Sequence, residues 1–129
     1  MPDTQTLLIG VNDIFFYTKI RDAYRPQGYV LERARRQEDF VEKATAISPL
    51  AVILDMNDDR FDATAALQAL KGHDHLKDLP ILAFANHEEV ETWRQARALG
   101  IQKIVSRNEF SARALALLEE VISPTTATS

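Results

Sequence analysis

Residues 50–87 read LAVILDMNDDRFDATAALQALKGHDHLKDLPILAFANH, and this stretch decides the fold class of the chain. It opens with a continuous apolar run at residues 50–54, which is typical of a strand buried on both faces of a parallel sheet. A helical stripe follows over residues 63–71, with Gly72 placed to end it. A second apolar run at residues 81–85 completes a predicted strand–helix–strand unit.

The same alternation continues in both directions along the chain. Apolar runs at residues 7–11, 29–33 and 101–105 predict three more strands, and the mixed polarity of the second suits an edge position. The remaining helices are predicted from apolar spacing at residues 15–23, 40–47, 88–99 and 115–122. This pattern predicts one α/β domain over residues 1–123 with right-handed crossovers, followed by a disordered polar tail at residues 124–129.

Composition excludes several classes of protein. The 129 residues carry 15 basic and 19 acidic side chains, and a net charge of −4 argues against broad binding to nucleic acid or anionic membranes. Cysteine is absent, which excludes disulfides, thiolate metal sites and cysteine nucleophiles. No apolar run approaches the roughly 18–20 residues of a membrane helix, and the N-terminus lacks the pattern of a secretory signal. We therefore expect a cytoplasmic domain.

Two stretches resemble the receiver domain of two-component response regulators. In the first, an apolar strand ends in Asp55, and a loop and a helix lead to a strand introduced by Pro80. The second, ARALGIQKIVSRNEF, follows at residues 96–110. The resemblance covers about residues 7–122 and implies a flavodoxin-like fold: a five-stranded parallel sheet in the order 2-1-3-4-5, with five helices on both faces. It also implies a site at the carboxyl ends of the strands.

The resemblance places the phosphoacceptor at Asp55, where a carboxylate acts as a nucleophile toward phosphorus. The acidic pair that binds magnesium falls on Val11 and Asn12 without a gap, or on Asn12 and Asp13 with a shift of one residue. Asn57 falls where a backbone carbonyl contributes to the metal. At most one carboxylate therefore accompanies Asp55, and we expect Mg²⁺, which prefers hard oxygen ligands, to bind weakly or not at all.

The positions that would handle a phosphoryl group also differ from the family pattern. Ala85 stands at the hydroxyl position and cannot donate a hydrogen bond. Ile104 stands at the aromatic position of the fifth strand. Arg107 stands at the lysine position, where it keeps the positive charge but offers a planar fork suited to a carboxylate. We expect Arg107 to pair with Asp55 across the vacated site.

These differences predict a pseudo-receiver that is not an enzyme, needs no cofactor and signals through protein–protein contacts without standard aspartyl phosphorylation. The alternative is a working phosphoacceptor in a phosphorelay, with Asp55 as nucleophile, Asp13 as the remaining Mg²⁺ ligand and Arg107 as the neutralising cation. A third reading is an unrelated small α/β binding protein, although the chain has no glycine-rich phosphate loop.

The resemblance also indicates the partners, which would be a histidine kinase, an effector or a second copy of the chain. Receiver domains commonly dock through the fourth helix, fifth strand and fifth helix. Here that face would draw on Glu91, Arg94, Arg97, Lys103, Arg113 and Glu119, whose mixed charges suit a two-fold contact. The aromatic cluster at residues 15–17 is the alternative docking surface. Arg33, at the end of the predicted edge strand, is interpreted as a solvated side chain.

Overall fold

A computed structural model describes residues 5–34, 36–57, 62–86 and 88–122. The described residues form one sheet of five parallel strands in the order β2-β1-β3-β4-β5. The strands are β1 Thr6–Gly10, β2 Val30–Arg33, β3 Ala51–Asp55, β4 Ile81–Ala85 and β5 Lys103–Ser106. The predicted fold class and strand order are confirmed.

Helices cover both faces of this sheet, which explains why the central strands are continuously apolar. They are α1 Ile14–Tyr24, α2 Phe40–Ile47, α3 Ala63–Lys71, α4 Val90–Ala98 and α5 Arg107–Ile122. One apolar core lies between the sheet and α1 with α5, and the other lies between the sheet and α2, α3 and α4. Every residue of β1, β3 and β4 is buried.

The buried face of α1 begins and ends one residue later than the predicted stripe over residues 15–23. Phe16, Ile20 and Tyr24 are buried at a spacing of four residues, whereas Phe15 is 83% exposed. Phe16 lies on the side of α1 that faces the sheet, and Phe15, about 100° away around the helix axis, lies on the solvent side. A left-handed Gly28, with φ of +96°, follows α1 and its short 3-10 turn and introduces β2.

The last helix begins earlier than its apolar pattern predicts. The Ser106 hydroxyl accepts a hydrogen bond from the Glu109 N–H at 3.0 Å, and the helix therefore begins at Arg107. Arg113 then leaves helical geometry, with φ of −132° and ψ of 31°, so α5 consists of two segments. The apolar spacing at residues 115–122 therefore predicts only the segment of α5 that follows Arg113. The buried Tyr24 hydroxyl donates to the Ala114 carbonyl at 2.9 Å and joins α1 to that segment.

The tail predicted at residues 124–129 lies outside the described residues, and the predicted domain of residues 1–123 extends beyond them at both ends. Within the described ranges, none of the helices combines the length and the apolar character needed to cross a membrane.

Candidate functional site

The carboxyl ends of β1, β3, β4 and β5 meet at one edge of the sheet. The chain leaves β1 for the edge strand β2 and returns to β3 on the other side of β1, which makes the junction of β1 and β3 the point where strand order reverses. Ligands of open α/β sheets bind at such a point. Asp55 ends β3 here beside Phe84 of β4, and Asp55 is only 2% exposed.

Asp55 is held by partners from two other parts of the chain. Arg107 Nη1 donates to Asp55 Oδ2 at 3.0 Å, and the Asn57 N–H donates to Asp55 Oδ1 at 3.0 Å. Both carboxylate oxygens therefore accept a hydrogen bond within the protein. The ion pair between Asp55 and Arg107 that the sequence predicts is confirmed.

Arg107 also lies against aromatic rings. Its guanidinium carbon is 4.5 Å from the centroid of the Phe16 ring and 5.3 Å from that of Phe84, within the range of cation–π attraction. Phe110 packs against Phe84 with a centroid distance of 4.8 Å and supports this aromatic shelf from α5. Only 28% of the Arg107 side chain is exposed, so the guanidinium is a part of the site rather than a solvated loop charge.

The second carboxylate near Arg107 belongs to Asp13. Asp13 Oδ2 lies 3.6 Å from Arg107 Nη2, while Asp13 Oδ1 caps α1 by accepting from the N–H groups of Phe15 and Phe16 at 3.0 and 3.2 Å. Of the two alignments considered for the acidic pair, the shifted one therefore supplies the carboxylate that reaches the site. At the gapless positions, Val11 is fully buried and Asn12 is half-buried.

Arg33 holds the loop between β1 and α1 from the other side. Its Nε donates to the Val11 carbonyl at 2.9 Å and its Nη2 to the Asn12 carbonyl at 2.8 Å. The guanidinium also lies 4.9 Å from the centroid of the Tyr17 ring. The interpretation of Arg33 as a solvated strand end is wrong, because the parallel register that pairs it with Ile9 brings it beside this loop.

The other positions named by the resemblance form a hydrogen-bonded frame and part of the core. The Asn57 side-chain oxygen accepts from the Asn86 N–H, and the Asn86 carbonyl accepts from Trp93 Nε1 at 2.9 Å. These bonds connect the loops that follow β3 and β4. Ala85 is fully buried and Ile104 is nearly so, and both belong to the apolar core.

The donor set does not fit a resident divalent cation. A divalent cation prefers carboxylate oxygen ligands, but both carboxylates here lie within ion-pair distance of the Arg107 guanidinium, whose positive charge would repel the cation. Among the described residues, no group of three or more histidine, aspartate or glutamate side chains is arranged to hold a metal ion.

The chain is similar to known proteins in structure rather than in sequence. No protein-family model matches the chain, and no curated protein is similar to it in sequence. Solved structures do match. A protein of Chloroflexus aurantiacus described as a response regulator has a TM-score of 0.84 and 19% identity, over 94% of this chain and 99% of that one. The chemotaxis response regulator CheY4 of Vibrio cholerae has a TM-score of 0.79 and 19% identity, over 92% and 98%.

The receiver domain of a sensor histidine kinase from Pseudomonas aeruginosa is similar as well. It has a TM-score of 0.81 and 17% identity, over 93% of this chain and 98% of that one, and its structure holds a magnesium ion in the active-site cleft. At this level of identity the comparisons show the fold, and the chain has the fold of response-regulator receiver domains.

We predict that replacing Asp55 destabilises the domain at neutral pH. Asp55→Asn removes the buried partner of Arg107 and should lower the free energy of unfolding by about 1–3 kcal/mol, measured by urea denaturation. Asp62→Asn is the matched control, because Asp62 caps α3 by accepting from the Ala65 N–H and asparagine caps equally well. An Asp55→Asn variant more stable than the wild type would contradict the compensation of Asp55 by Arg107.

Proposed function

We propose that this chain is a receiver-fold signalling domain that contacts partner proteins without standard aspartyl phosphorylation and without a resident metal. The observation that carries this proposal is the guanidinium of Arg107, which pairs with Asp55 and reaches Asp13. It supplies, from within the chain, positive charge at the position where the resemblance expects magnesium and lysine.

The chemistry of phosphoryl transfer supports the same reading. Transfer to a carboxylate needs a free oxygen in line with the leaving group, and it needs the charge on the phosphoryl oxygens to be neutralised, largely by metal ions. Both oxygens of Asp55 are engaged. Ala85 offers no hydroxyl to a phosphoryl oxygen. The working phosphoacceptor is kept as the alternative, because Asp55 stands at the end of the correct strand and Asp13 lies near it.

A phosphodonor tests the proposal directly. With Mg²⁺ and acetyl phosphate, we expect no stable gain of one phosphoryl group in intact-mass spectrometry, since the nucleophile is paired and the metal ligands are engaged. An Asp55→Asn variant treated in parallel distinguishes modification at Asp55 from modification elsewhere. A mass gain that the wild type shows and Asp55→Asn lacks would favour the phosphoacceptor alternative.

Removing the internal cation provides the complementary test. Arg107→Gln leaves the carboxylates of Asp55 and Asp13 without their shared partner, and we expect divalent cations to bind there in its place. Titration with Mg²⁺ should then shift the amide resonances of Asp13 and Asn57 in the Arg107→Gln variant and leave those of the wild type unchanged.

Arg94→Gln is the control for this titration, because it removes an arginine whose ion pair within the described part of the chain is with the exposed Glu91 on its own helix. Wild-type protein that binds Mg²⁺ as tightly as Arg107→Gln would contradict the role given to Arg107.

For the contact surface we propose the face formed by α4, β5 and α5. Its charges are interlinked: Arg94 pairs with Glu91, and Glu120 pairs with both Lys103 and Arg113, at 2.9 and 2.8 Å. Glu119, also expected on this face from the sequence, is exposed on α5. With Glu120 added, the face carries both signs of charge, as a self-complementary contact requires.

Reversing the charges of α4 tests this surface. The Arg94→Glu and Arg97→Glu double variant should weaken self-association in sedimentation velocity and leave the melting temperature nearly unchanged, because both side chains are exposed. The control reverses Lys19 and Lys77, two exposed lysines elsewhere. A wild type that stays monomeric at all concentrations and salt levels would refute the homodimer, and equal weakening by the control would refute the choice of face.

A further inference from the structure

A small cavity lies between α1 and β2, away from the Asp55 site. Its volume is about 250 Å³, and it is lined by Tyr17, Arg21, Arg25, Tyr29, Val30 and Leu31. Val30 and Leu31 begin β2, whereas Asp55 ends β3, and the two strands run parallel in one sheet. This arginine–tyrosine cavity is therefore near the amino ends of the strands, and its ligand would not meet Asp55.

Two guanidinium groups dominate the electrostatics of the cavity. Arg21 and Arg25 are four residues apart, which puts them on the same side of the helix end, and like charges at this spacing repel. Both also line a neighbouring concavity of about 560 Å³, together with Asp22 and Pro26. The arginine pair is thus shared by two adjoining depressions of the surface.

Carboxylates compensate this pair only weakly. Arg21 Nε lies 3.6 Å from Asp22 Oδ1, but the two side chains are 41% and 71% exposed, and ion pairs this open to solvent contribute little. Arg25 forms no ion pair with any carboxylate in the described part of the chain. The described residues that line the arginine–tyrosine cavity include no acid.

The rest of the lining is aromatic and apolar. Tyr17 and Tyr29 contribute rings, and Val30 contributes an apolar side chain, with 47% of the residue exposed. Burial, and then the charge of Glu119, raise the pKa of Tyr29, so its hydroxyl remains protonated and able to donate at neutral pH. The cavity therefore combines a flat apolar surface with donors and positive charge.

We propose that the arginine–tyrosine cavity binds a small aromatic anion. The ring of the ligand covers Val30 and packs against the tyrosines, and its phosphate or carboxylate group pairs with both arginines, whose planar forks match such groups. The bound anion relieves the repulsion between the two guanidiniums. Because the carbonyl end of α1 disfavours negative charge, the affinity depends on the arginines and falls as salt rises.

Amide chemical shifts can test this with phenyl phosphate and benzoate as probes, and with phenol and inorganic phosphate as their separate parts. We expect at least one aromatic anion to shift resonances within residues 17–31 and to bind about tenfold more tightly than either part, since the ring and the charge act together. The resonances of Asn57 and Asn86, in the loops that follow β3 and β4 beside Asp55, should not move.

The double variant Arg21→Gln and Arg25→Gln should bind the probe at least about tenfold more weakly with an unchanged circular dichroism spectrum. The matched control, Lys77→Gln and Arg94→Gln, removes two exposed charges outside α1 and β2 and should bind normally. Absence of shifts in the wild type, equal binding of inorganic phosphate and phenyl phosphate, or undiminished binding by the arginine variant would each overturn the proposal.

Discussion

The site is organised by one constraint, the burial of a carboxylate at the end of a strand that is itself buried on both faces. Asp55 is 2% exposed, and an ionised side chain in that position requires compensating charge and hydrogen bonds. Arg107 and the Asn57 N–H provide them. Removing Asp55 or Arg107 alone would leave the charge of the other residue without its counter-ion. The free-energy cost of that unpaired charge exceeds the energy of the contact itself, and the ion pair therefore constrains the surrounding loops strongly.

Arginine suits this position better than lysine for physical reasons. A guanidinium offers several donors in one plane, so Arg107 reaches two carboxylates, and its weakly hydrated face lies over Phe16 and Phe84. Lysine would place a compact, strongly hydrated charge at a single point. An arginine at this position therefore provides a fixed cation, in support of the proposal that the site holds no mobile one.

Much of the fold could be predicted from the sequence, because a strand that is buried on both faces has a continuous apolar sequence. Continuous apolar runs mark β1, β3 and β4, and glycine and proline mark the ends of several helices. The start of α5 was missed because its first segment depends on one hydroxyl, Ser106, and carries few apolar residues before the break at Arg113. Local capping of this kind leaves no periodic signal.

The site could be predicted only in part, because some of its contacts are made by backbone groups rather than by side chains. The pairing of Asp55 with Arg107 followed from the resemblance to receiver domains, which places both residues at the carboxyl ends of strands in one parallel sheet. The role of Arg33 did not follow, because its partners are the backbone carbonyls of Val11 and Asn12, which have no signature in the sequence. The register of β2 against β1 is needed to see that Arg33 reaches them. The sequence did contain one indication of this role of Arg33. The residue stands at the end of the predicted edge strand, near a loop in which at most one of the two expected carboxylates is present.

The separation between core and site explains how a receiver fold can persist with an altered site. The two apolar cores lie on either side of the sheet and involve side chains within the strands and helices, whereas Asp13, Asp55 and Arg107 lie where strands end. Ala85 and Ile104, which the resemblance assigns to the site, are buried aliphatic side chains of the core. Changes at the strand ends therefore need not weaken the domain, and the Arg107 ion pairs hold the ends of β1, β3 and β5 in one arrangement.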